Sequence, residues 1–199
     1  TRGFIARTLW DEVGPDADAL GPDNVLIFST GPLAGTTVPS GSIYCIGAKS
    51  PLTGLIGWTT MGGHWSHKLK LAGFDFLVVT GKAPEPVYLW IDDGRVEIRK
   101  ARHIWGKDAR TTNKMVKDEI GDYEIDVAVI GPAGEKLVTG ANVMATLGHS
   151  ASYGMGAVMG SKNLKAVAVR GGRDIRIAHP GRYARFWQQA MDDIMHDPV

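Results

Sequence analysis

The sequence predicts an α+β fold built around large β-sheets, with a few short helices. Short apolar runs bounded by Gly and Pro outnumber the segments with helical spacing, and several of these runs are joined by tight turns. Strands and helices also fail to alternate regularly, which argues against a doubly wound sheet. The chain has 199 residues, enough for one ordinary domain with a single sizeable core.

The first part of the chain begins with a helix and continues mainly as strands. Near-helical spacing of apolar residues predicts a helix over Gly3–Val13, which the Gly14-Pro15 pair ends. Short apolar runs predict strands at Val25–Ser29 and Ser42–Ala48. One-sided apolar spacing predicts a short helix over Gly63–Ala72.

The middle of the chain combines a hairpin with a longer helix. Phe74–Thr80 reads as a strand, and apolar runs at Val87–Ile91 and Val96–Ile98 bracket Asp92-Asp93-Gly94, a strong hairpin signal. Asp108 is a suitable N-cap for a helix of about 13 residues with helically spaced apolar side chains.

Strands return in the last third of the chain. They are predicted at Ile125–Ile130, around Leu137–Met144 and at Ala166–Arg170, and Pro180 could open a terminal helix. The chain starts at Thr1 without an initiator Met and stops just past this helical pattern. We therefore interpret both ends as cuts in a longer protein.

Two pairs of segments echo each other. Val25–Gly35 (VLIFSTGPLAG) resembles Val127–Gly134 (VAVIGPAG), and residues 69–82 resemble residues 164–172. Short internal matches of this kind suggest duplication of one β-rich unit.

Composition excludes several classes of partner. Lys and Arg number 22 and Asp and Glu 21, so the net charge of +1 gives no electrostatic reason to expect nucleic acid or an anionic membrane. No apolar run approaches the roughly 20 residues that a membrane span requires. The single cysteine, Cys45, cannot form an internal disulfide, which fits a reducing, cytoplasmic compartment.

Local motifs identify no catalytic acid, base or nucleophile. Gly154–Gly160 (GMGAVMG) matches a dinucleotide-binding loop only superficially, because a strand follows too soon for the helix that such a loop must open. Gly62 and Gly63, before a helix start, would suit an anion, although a plain loop-to-helix turn is the commoner explanation. The four histidines between positions 64 and 149 show no metal-ligand spacing: His64, His67, His103 and His149.

Six segments in order over nearly the whole chain resemble the N-terminal domain of the aldehyde:ferredoxin oxidoreductase family. The most specific are KSPLTG and GAVMGSKNLKAVAV. The segments are Gly31–Gly35, Lys49–Gly54, Leu69–Asp93, His103–Asp108, Ile130–Glu135 and Gly156–Val169.

This resemblance implies a two-sheet domain that cradles a tungstopterin, in which tungsten (molybdenum in some members) is held by two pterins bridged by magnesium. It implies residues 1–178 for this domain, without its first strands, and residues 179–199 for the start of a helix leading into a helical domain. A 4Fe–4S cluster would belong to later domains. The implied activity is oxidation of aldehydes to carboxylic acids, with ferredoxin or a related carrier as electron acceptor.

The resemblance also implies where the cofactor would be bound, with no catalytic residue in this chain. The positions are Ile43, Thr60, Gly62, Gly63, His149, Ser150, Ala151 and Gly154. Thr60 and Ala151 are the expected metal positions, and Thr60 takes the place of a loop Asn whose backbone carbonyl serves the magnesium. Family arginines are replaced at Ile43 and at Ser150, and a further one is missing from the stretch that follows Ala151.

Two other interpretations remain open. The intact protein could act on a different carbonyl substrate, as the tungsten aryl-CoA reductases of the family do. The lost arginines also allow a cofactor-free paralogue that serves as a structural or interaction subunit. Assembly as a homo-oligomer or with partner iron–sulfur subunits is a further expectation from the resemblance.

Overall fold

The computed structural model describes residues 1–145 and 148–197. Its helices are α1 Arg2–Glu12, α2 Trp65–Leu71, α3 Ala109–Ile120, α4 Pro132–Glu135, α5 Met155–Ser161 and α6 Pro180–His196. Its strands are β1 Leu26–Thr30, β2 Tyr44–Lys49, β3 Ile56–Met61, β4 Phe76–Val79, β5 Val87–Asp92, β6 Arg95–Lys100, β7 Asp126–Ile130, β8 Val143–Met144, β9 Ser150–Ala151 and β10 Leu164–Arg170.

The strands form two sheets, which confirms the predicted α+β class. A four-stranded sheet has the order β3-β2-β1-β4, and a six-stranded sheet has the order β6-β5-β10-β7-β8-β9. Every pair is antiparallel except β5 with β10. At one edge of each sheet lies a strand that leads into a short helix: β3 leads into α2, and β9 leads into α5.

The main core lies between the two sheets. Phe28 and Ile46 from the smaller sheet join Val167 and Ile91 from the larger one in a single buried cluster, to which α2 contributes Trp65. Helix α1 covers the opposite face of the smaller sheet, and α3 covers the opposite face of the larger one. The fold is thus two sheets back to back, with one long helix on each outer face.

The two sheets contain the same structural unit. The order β1-β2-β3-α2-β4 recurs as β7-β8-β9-α5-β10, with the same neighbours in each sheet. Register agrees as well, since Phe28 faces Leu77 in the first unit and Ala128 faces Val167 in the second. Both central strands end in the Gly-Pro pairs that echo each other in the sequence. This shared topology supports the duplication that the echoes suggested.

Local signals correctly located the hairpin and the third helix. Asp93 and Gly94 form the turn between β5 and β6 with positive φ angles, as an Asp-Gly turn requires. Asp108 caps α3, because its Oδ1 accepts a hydrogen bond from the Thr111 backbone N–H at 2.9 Å. Gly121, in the left-handed conformation, ends that helix.

Other expectations were wrong. Most of the strand predicted around Leu137–Met144 is irregular, and only Val143–Met144 pairs in the sheet. Pro132 opens the short helix α4 instead, because proline suits the first helical position. Strand Ile56–Met61 was not predicted, and neither were α5 and β9.

The glycines of the GMGAVMG segment allow helix α5 to pack closely against neighbouring backbone. A Cβ at Gly160 would overlap the Gly134 carbonyl oxygen, and one at Gly156 would lie 2.5 Å from the Asn142 carbonyl oxygen. Helix α5 is only seven residues long, and β10 begins at Leu164. The glycines thus allow α5 to lie against the backbone of its neighbours. This packing fits the prediction that the segment is not a dinucleotide-binding loop.

Helix α6 starts at Pro180 as predicted and contains no buried residue. It is attached to the rest of the chain at Thr37, which bonds to the Tyr183 hydroxyl and accepts a hydrogen bond from Trp187 Nε1 at 2.9 Å. The boundary between residues 1–178 and 179–199 stays a prediction, and residues 198 and 199 lie outside the described residues. No helix in the described ranges is long and apolar enough to cross a bilayer.

Candidate functional site

The candidate site lies where the edge strands β3 and β9 of the two sheets come into contact. Thr60 lies on β3 opposite Cys45, and Ser150 lies on β9 opposite Met144. The expectation of a loop at Thr60 was wrong, because this residue pairs within a strand. The two sheet edges bring together positions that are 90 residues apart in sequence.

Thr60 and Ser150 are equivalent residues of the two repeats. Met61 pairs with Tyr44, the first residue of β2, and Ala151 pairs with Val143, the first residue of β8. Thr60 and Ser150 lie one position before Met61 and Ala151, so they occupy the same place in the two repeats. Both edge strands then turn into a helix, through Gly62-Gly63 in the first repeat and through residues 152–154 in the second. The site is therefore approximately two-fold symmetric.

The glycine pair after β3 contacts the segment that leads into β9. A Cβ at Gly62 would lie 3.0 Å from Cε1 of His149, so the imidazole lies directly against the Gly62 backbone. Gly63 has φ +84°, a conformation that favours glycine. The His149 carbonyl accepts a hydrogen bond from the Ala145 N–H at 2.8 Å. The sequence placed Gly62 and His149 in one site, and the structure brings them together.

At the base of the site, the KSPLTG turn meets Tyr153 and Gly154, just ahead of the GAVMGSKNLKAVAV motif. Ser50 of KSPLTG donates a hydrogen bond from Oγ to the Tyr153 carbonyl at 2.8 Å. Gly154 has φ +76°, and a Cβ there would lie 2.7 Å from Pro51 Cγ. Gly57 of β3 is equally confined, since its Cβ would lie 2.8 Å from Ser50 Cβ. This junction fixes the start of α5 relative to β3.

The other predicted positions differ in accessibility. Ile43 precedes β2 and is 46% exposed, which leaves room for a ligand beside it. Ser150 is half-buried and Ala151 is fully buried. A role for Ala151 therefore rests on its backbone, as the expected carbonyl coordination requires.

Titratable groups near the site are held in their neutral forms. Burial raises the pKa of the Cys45 thiol, which disfavours the thiolate that a metal would require. Burial, reinforced by Asp126, raises the pKa of Tyr44 above its usual range. Burial also lowers the pKa of His67, which is next to His64. These groups supply no obvious general acid or base.

Three of the four histidines considered in the sequence have ring or ion-pair contacts away from Thr60 and Ser150. The rings of His64 and His67 lie 5.3 Å apart between centroids, and His103 contacts Glu119 at 2.9 Å on the surface. Within the described ranges no group of three His, Cys, Asp or Glu side chains could hold a metal ion.

Sequence reasoning missed a charged residue next to the site. The Arg2 guanidinium carbon lies 4.8 Å from the centroid of the Trp58 ring, on the strand that carries Thr60. The signal was weak, because Arg2 lies far from Trp58 in sequence and only the packing of α1 on the smaller sheet brings them together.

The residues of the site fit a phosphate-bearing pterin cofactor in their hydrogen-bonding groups but not in charge. Gly62 and Gly63 place no side chain of their own at the site, and Thr60 and Ser150 provide hydroxyl groups on the two edge strands. Ile43 and Ser150 are neutral where the resemblance implies arginine, so cations must come from elsewhere in the protein.

Comparisons with known proteins agree on one family. The family described as "Aldehyde ferredoxin oxidoreductase, N-terminal domain" matches residues 1–171. The tungsten-containing aldehyde ferredoxin oxidoreductase of Pyrococcus horikoshii is 46% identical over 201 residues, which cover 100% of this chain and 33% of that protein. The WOR-like subunit of the aliphatic sulfonate oxidoreductase of Pyrococcus furiosus is 39% identical, over 85% of this chain and 30% of that protein.

A solved structure matches equally well. The active-site complex of benzoyl coenzyme A reductase with 1,5-dienoyl-CoA has a TM-score of 0.95 and 41% identity, over 98% of this chain and 30% of that chain. The chain thus spans about a third of the length of the relatives that it matches. The chain is therefore similar both to a tungsten-containing aldehyde ferredoxin oxidoreductase and to a benzoyl coenzyme A reductase complex.

Proposed function

The chain belongs to the aldehyde ferredoxin oxidoreductase family as its N-terminal domain, and we propose that the whole protein is a tungsten bis-pterin enzyme that oxidises aldehydes to carboxylic acids. The supporting observation is the 46% identity to a tungsten-containing aldehyde ferredoxin oxidoreductase along the entire chain. The overall reaction converts an aldehyde and water into a carboxylic acid, two electrons and two protons. Ferredoxin or a related carrier would accept the electrons.

This domain would form the base of the cofactor site. When bound, the metal–pterin group supplies the redox chemistry, while the protein supplies position and electrostatics. The carbonyl groups of Thr60 and Ala151 would serve the bridging magnesium, and the backbone of Gly62 and Gly63 would lie against a pterin. His149, Ser150 and Gly154 would border the second pterin in the symmetric position, and Ile43 would border the first.

A second candidate is an aryl-CoA reductase. The observation that favours it is the 41% identity and TM-score of 0.95 with the benzoyl coenzyme A reductase complex. In this case the protein would transfer electrons to a thioester-activated aromatic ring, with partner subunits delivering them. The names of the reductase complex and of the WOR-like subunit support assembly with other subunits.

The full-length protein, purified anaerobically after growth with tungstate, tests these proposals. We expect metal analysis to find tungsten, together with aldehyde-dependent reduction of a viologen dye. Reduction of benzoyl-CoA by a low-potential donor without aldehyde oxidation would support the second candidate instead. Fewer than about 0.1 W or Mo per chain would contradict both and support the cofactor-free paralogue (an operational threshold for incomplete incorporation).

The isolated chain of 199 residues provides the negative control. It carries one cysteine and therefore cannot hold a 4Fe–4S cluster on its own thiolates. We expect it to show no redox activity, and aldehyde-dependent dye reduction by this chain alone would contradict the assignment of the chemistry to the whole protein.

A further inference from the structure

Arg2 lies on the same face of the smaller sheet as the exposed side chains of β3. Alternate residues of a strand share a face, and along β3 Ile56, Trp58 and Thr60 are exposed whereas Gly57 and Met61 are buried. The Arg2 guanidinium carbon is 4.8 Å from the centre of the Trp58 ring. Trp58 is 38% exposed, so a ligand can reach the ring and the guanidinium beside it.

Helix α1 holds Arg2 in this place. Ile5 and Leu9 of α1 are buried against the outer face of the smaller sheet, and a Cβ at Gly47 would overlap Ile5. The side chain of Thr1 lies next to the thiol of Cys45, the residue that faces Thr60 across β2 and β3. Arg2 therefore projects from a helix end that is packed against the strands of the site.

The charge of Arg2 is available to a ligand. Arg7, farther along α1, pairs with Asp11 at 2.7 Å, whereas none of the ion pairs among residues 1–145 and 148–197 includes Arg2. Ile43 lies two residues before Cys45, just ahead of β2, the strand next to β3. Arg2 is therefore on the side of the site where Ile43 brings no charge.

We propose that Arg2 binds a phosphate of the cofactor on the outer face of β2 and β3, next to Trp58 and Thr60, and so replaces the cation that Ile43 lacks. A guanidinium presents paired N–H donors that match a phosphate, and stacking on an aromatic ring leaves those in-plane donors free. This inference rests on the proposed function, because it requires that the whole protein bind a phosphate-bearing cofactor.

The test compares variants of the full-length protein grown anaerobically with tungstate. Arg2→Gln removes the charge, Arg2→Lys keeps it, and Arg7→Gln is the matched control on the same helix. Tungsten is measured by mass spectrometry, and released pterin by fluorescence after oxidation. Because a charge-assisted bond to phosphate changes binding by about tenfold or more, we expect a comparable loss of both in Arg2→Gln. Arg7→Gln should stay within about threefold of the unmodified protein. Arg2→Lys keeps the charge but not the paired donors, so its tungsten and pterin contents should fall between those of Arg2→Gln and the unmodified protein.

Each other outcome contradicts a stated claim. If the unmodified protein and Arg2→Gln contain equal amounts of tungsten and pterin, only the inference about Arg2 is overturned. An unloaded unmodified protein would overturn the proposed function and this inference with it. Thermal unfolding of the cofactor-free proteins tests whether Arg2 has only a structural role in covering Trp58. In that case Tm would drop strongly in both Arg2 variants and both would lose tungsten equally. This result would overturn the proposal.

Discussion

Ser50 Oγ donates a hydrogen bond to the carbonyl of Tyr153 at 2.8 Å, joining the KSPLTG turn to the start of helix α5. The same oxygen accepts hydrogen bonds from the N–H groups of Leu52 and Thr53, at 3.2 and 3.3 Å. Ser50 is fully buried. One hydroxyl thus closes its own turn and connects the two repeats under the candidate site.

Replacing this hydroxyl should weaken the junction. Ser50→Ala leaves the Tyr153 carbonyl and two N–H groups without their partner, so we expect a loss of about 1–3 kcal/mol in the free energy of unfolding. Ser50→Cys, which keeps a weak donor, should fall between the alanine variant and the unmodified protein. Urea unfolding measures both, and an unchanged unfolding free energy in Ser50→Ala would contradict the role given to this bond.

Restoring arginine at the neutral positions should strengthen cofactor retention. Ile43 is 46% exposed and Ser150 is half-buried, so a longer side chain at either position can extend towards solvent. Each charge-assisted bond to a phosphate contributes about 1.5–3 kcal/mol. We expect Ile43→Arg and Ser150→Arg in the full-length protein to retain more tungsten than the unmodified protein after dialysis in high salt.

Ile43→Gln is the control, since it changes size and polarity without adding charge. Equal retention in the Arg and Gln variants would show that charge at position 43 does not contribute to binding. Lower retention in both would instead indicate that an apolar group is required there.

Glycine 160 should be intolerant of any side chain. A Cβ there would overlap the Gly134 carbonyl oxygen of α4, and both groups belong to backbone that cannot move independently. We expect Gly160→Ala to cost about 2 kcal/mol or more, or to prevent folding. Gly3→Ala is the control: Gly3 is exposed in α1 with nothing within 4 Å of the added Cβ, so this change should stabilise the protein by about 0.5–1 kcal/mol. Thermal unfolding of both variants checks the contrast.

Much of the fold was predictable because its signals are local. The Asp93-Gly94 turn and the Asp108 cap depend on residues within a few positions of each other, and both appear in the structure. Strand β3 escaped prediction because its composition reflects its place at an edge. Gly57 is needed for contact with Ser50, and polar Thr59 and Thr60 are tolerated because β3 has no further neighbour in its sheet.

The site was predictable only through resemblance, since its geometry is tertiary. Gly62 and His149 come into contact because two sheet edges meet, and no periodicity in either segment indicates this. The equivalence of Thr60 and Ser150 appears only once the register of both sheets is known. Only a weak signal in the sequence indicated Arg2, because its position depends on how α1 packs.

The buried ion pair between Lys165 and Glu135 should be important for stability. Both side chains are almost fully buried, and Lys165 Nζ also donates to the carbonyl groups of Lys107 and Ile130, at 2.7 Å each. Burial lowers the pKa of Lys165, which shows the cost of removing this charge from water. Because removal of one partner leaves an unpaired buried charge, Lys165→Met and Glu135→Gln should each cost about 3–5 kcal/mol.

The double variant Lys165→Met with Glu135→Gln should cost clearly less than the sum of the single losses, since no charge then stays unpaired. The exposed pair of Lys100 and Glu85 is the control, and Lys100→Met should change stability by about 0–1 kcal/mol. Chemical unfolding of the set completes the cycle, and strict additivity would contradict coupling between Lys165 and Glu135.

The Asp92–Arg170 pair should make stability depend on pH in the acid range. Arg170 donates two hydrogen bonds to the Asp92 carboxylate, at 2.8 and 2.6 Å, across the parallel pair β5 and β10. The hydrogen bond from Arg170 lowers the pKa of Asp92 in the folded protein. The unfolded chain therefore binds the proton more tightly, and stability rises with pH between the folded and unfolded pKa values. The contribution is complete above the unfolded value of about 3.9 and is lost as pH falls through the folded value.

Comparison with Asp92→Asn isolates this effect from the other carboxylates. The difference in unfolding free energy between the two proteins should be constant near neutral pH and should shrink below about pH 4. Asp11→Asn is the control, because the Arg7–Asp11 pair is an exposed helix pair worth about 0.3–0.5 kcal/mol. Urea unfolding at several pH values between neutral and about pH 2 measures this difference. If the difference in unfolding free energy between Asp92→Asn and the unmodified protein does not become smaller in acid, the effect of Arg170 on the Asp92 carboxylate is contradicted.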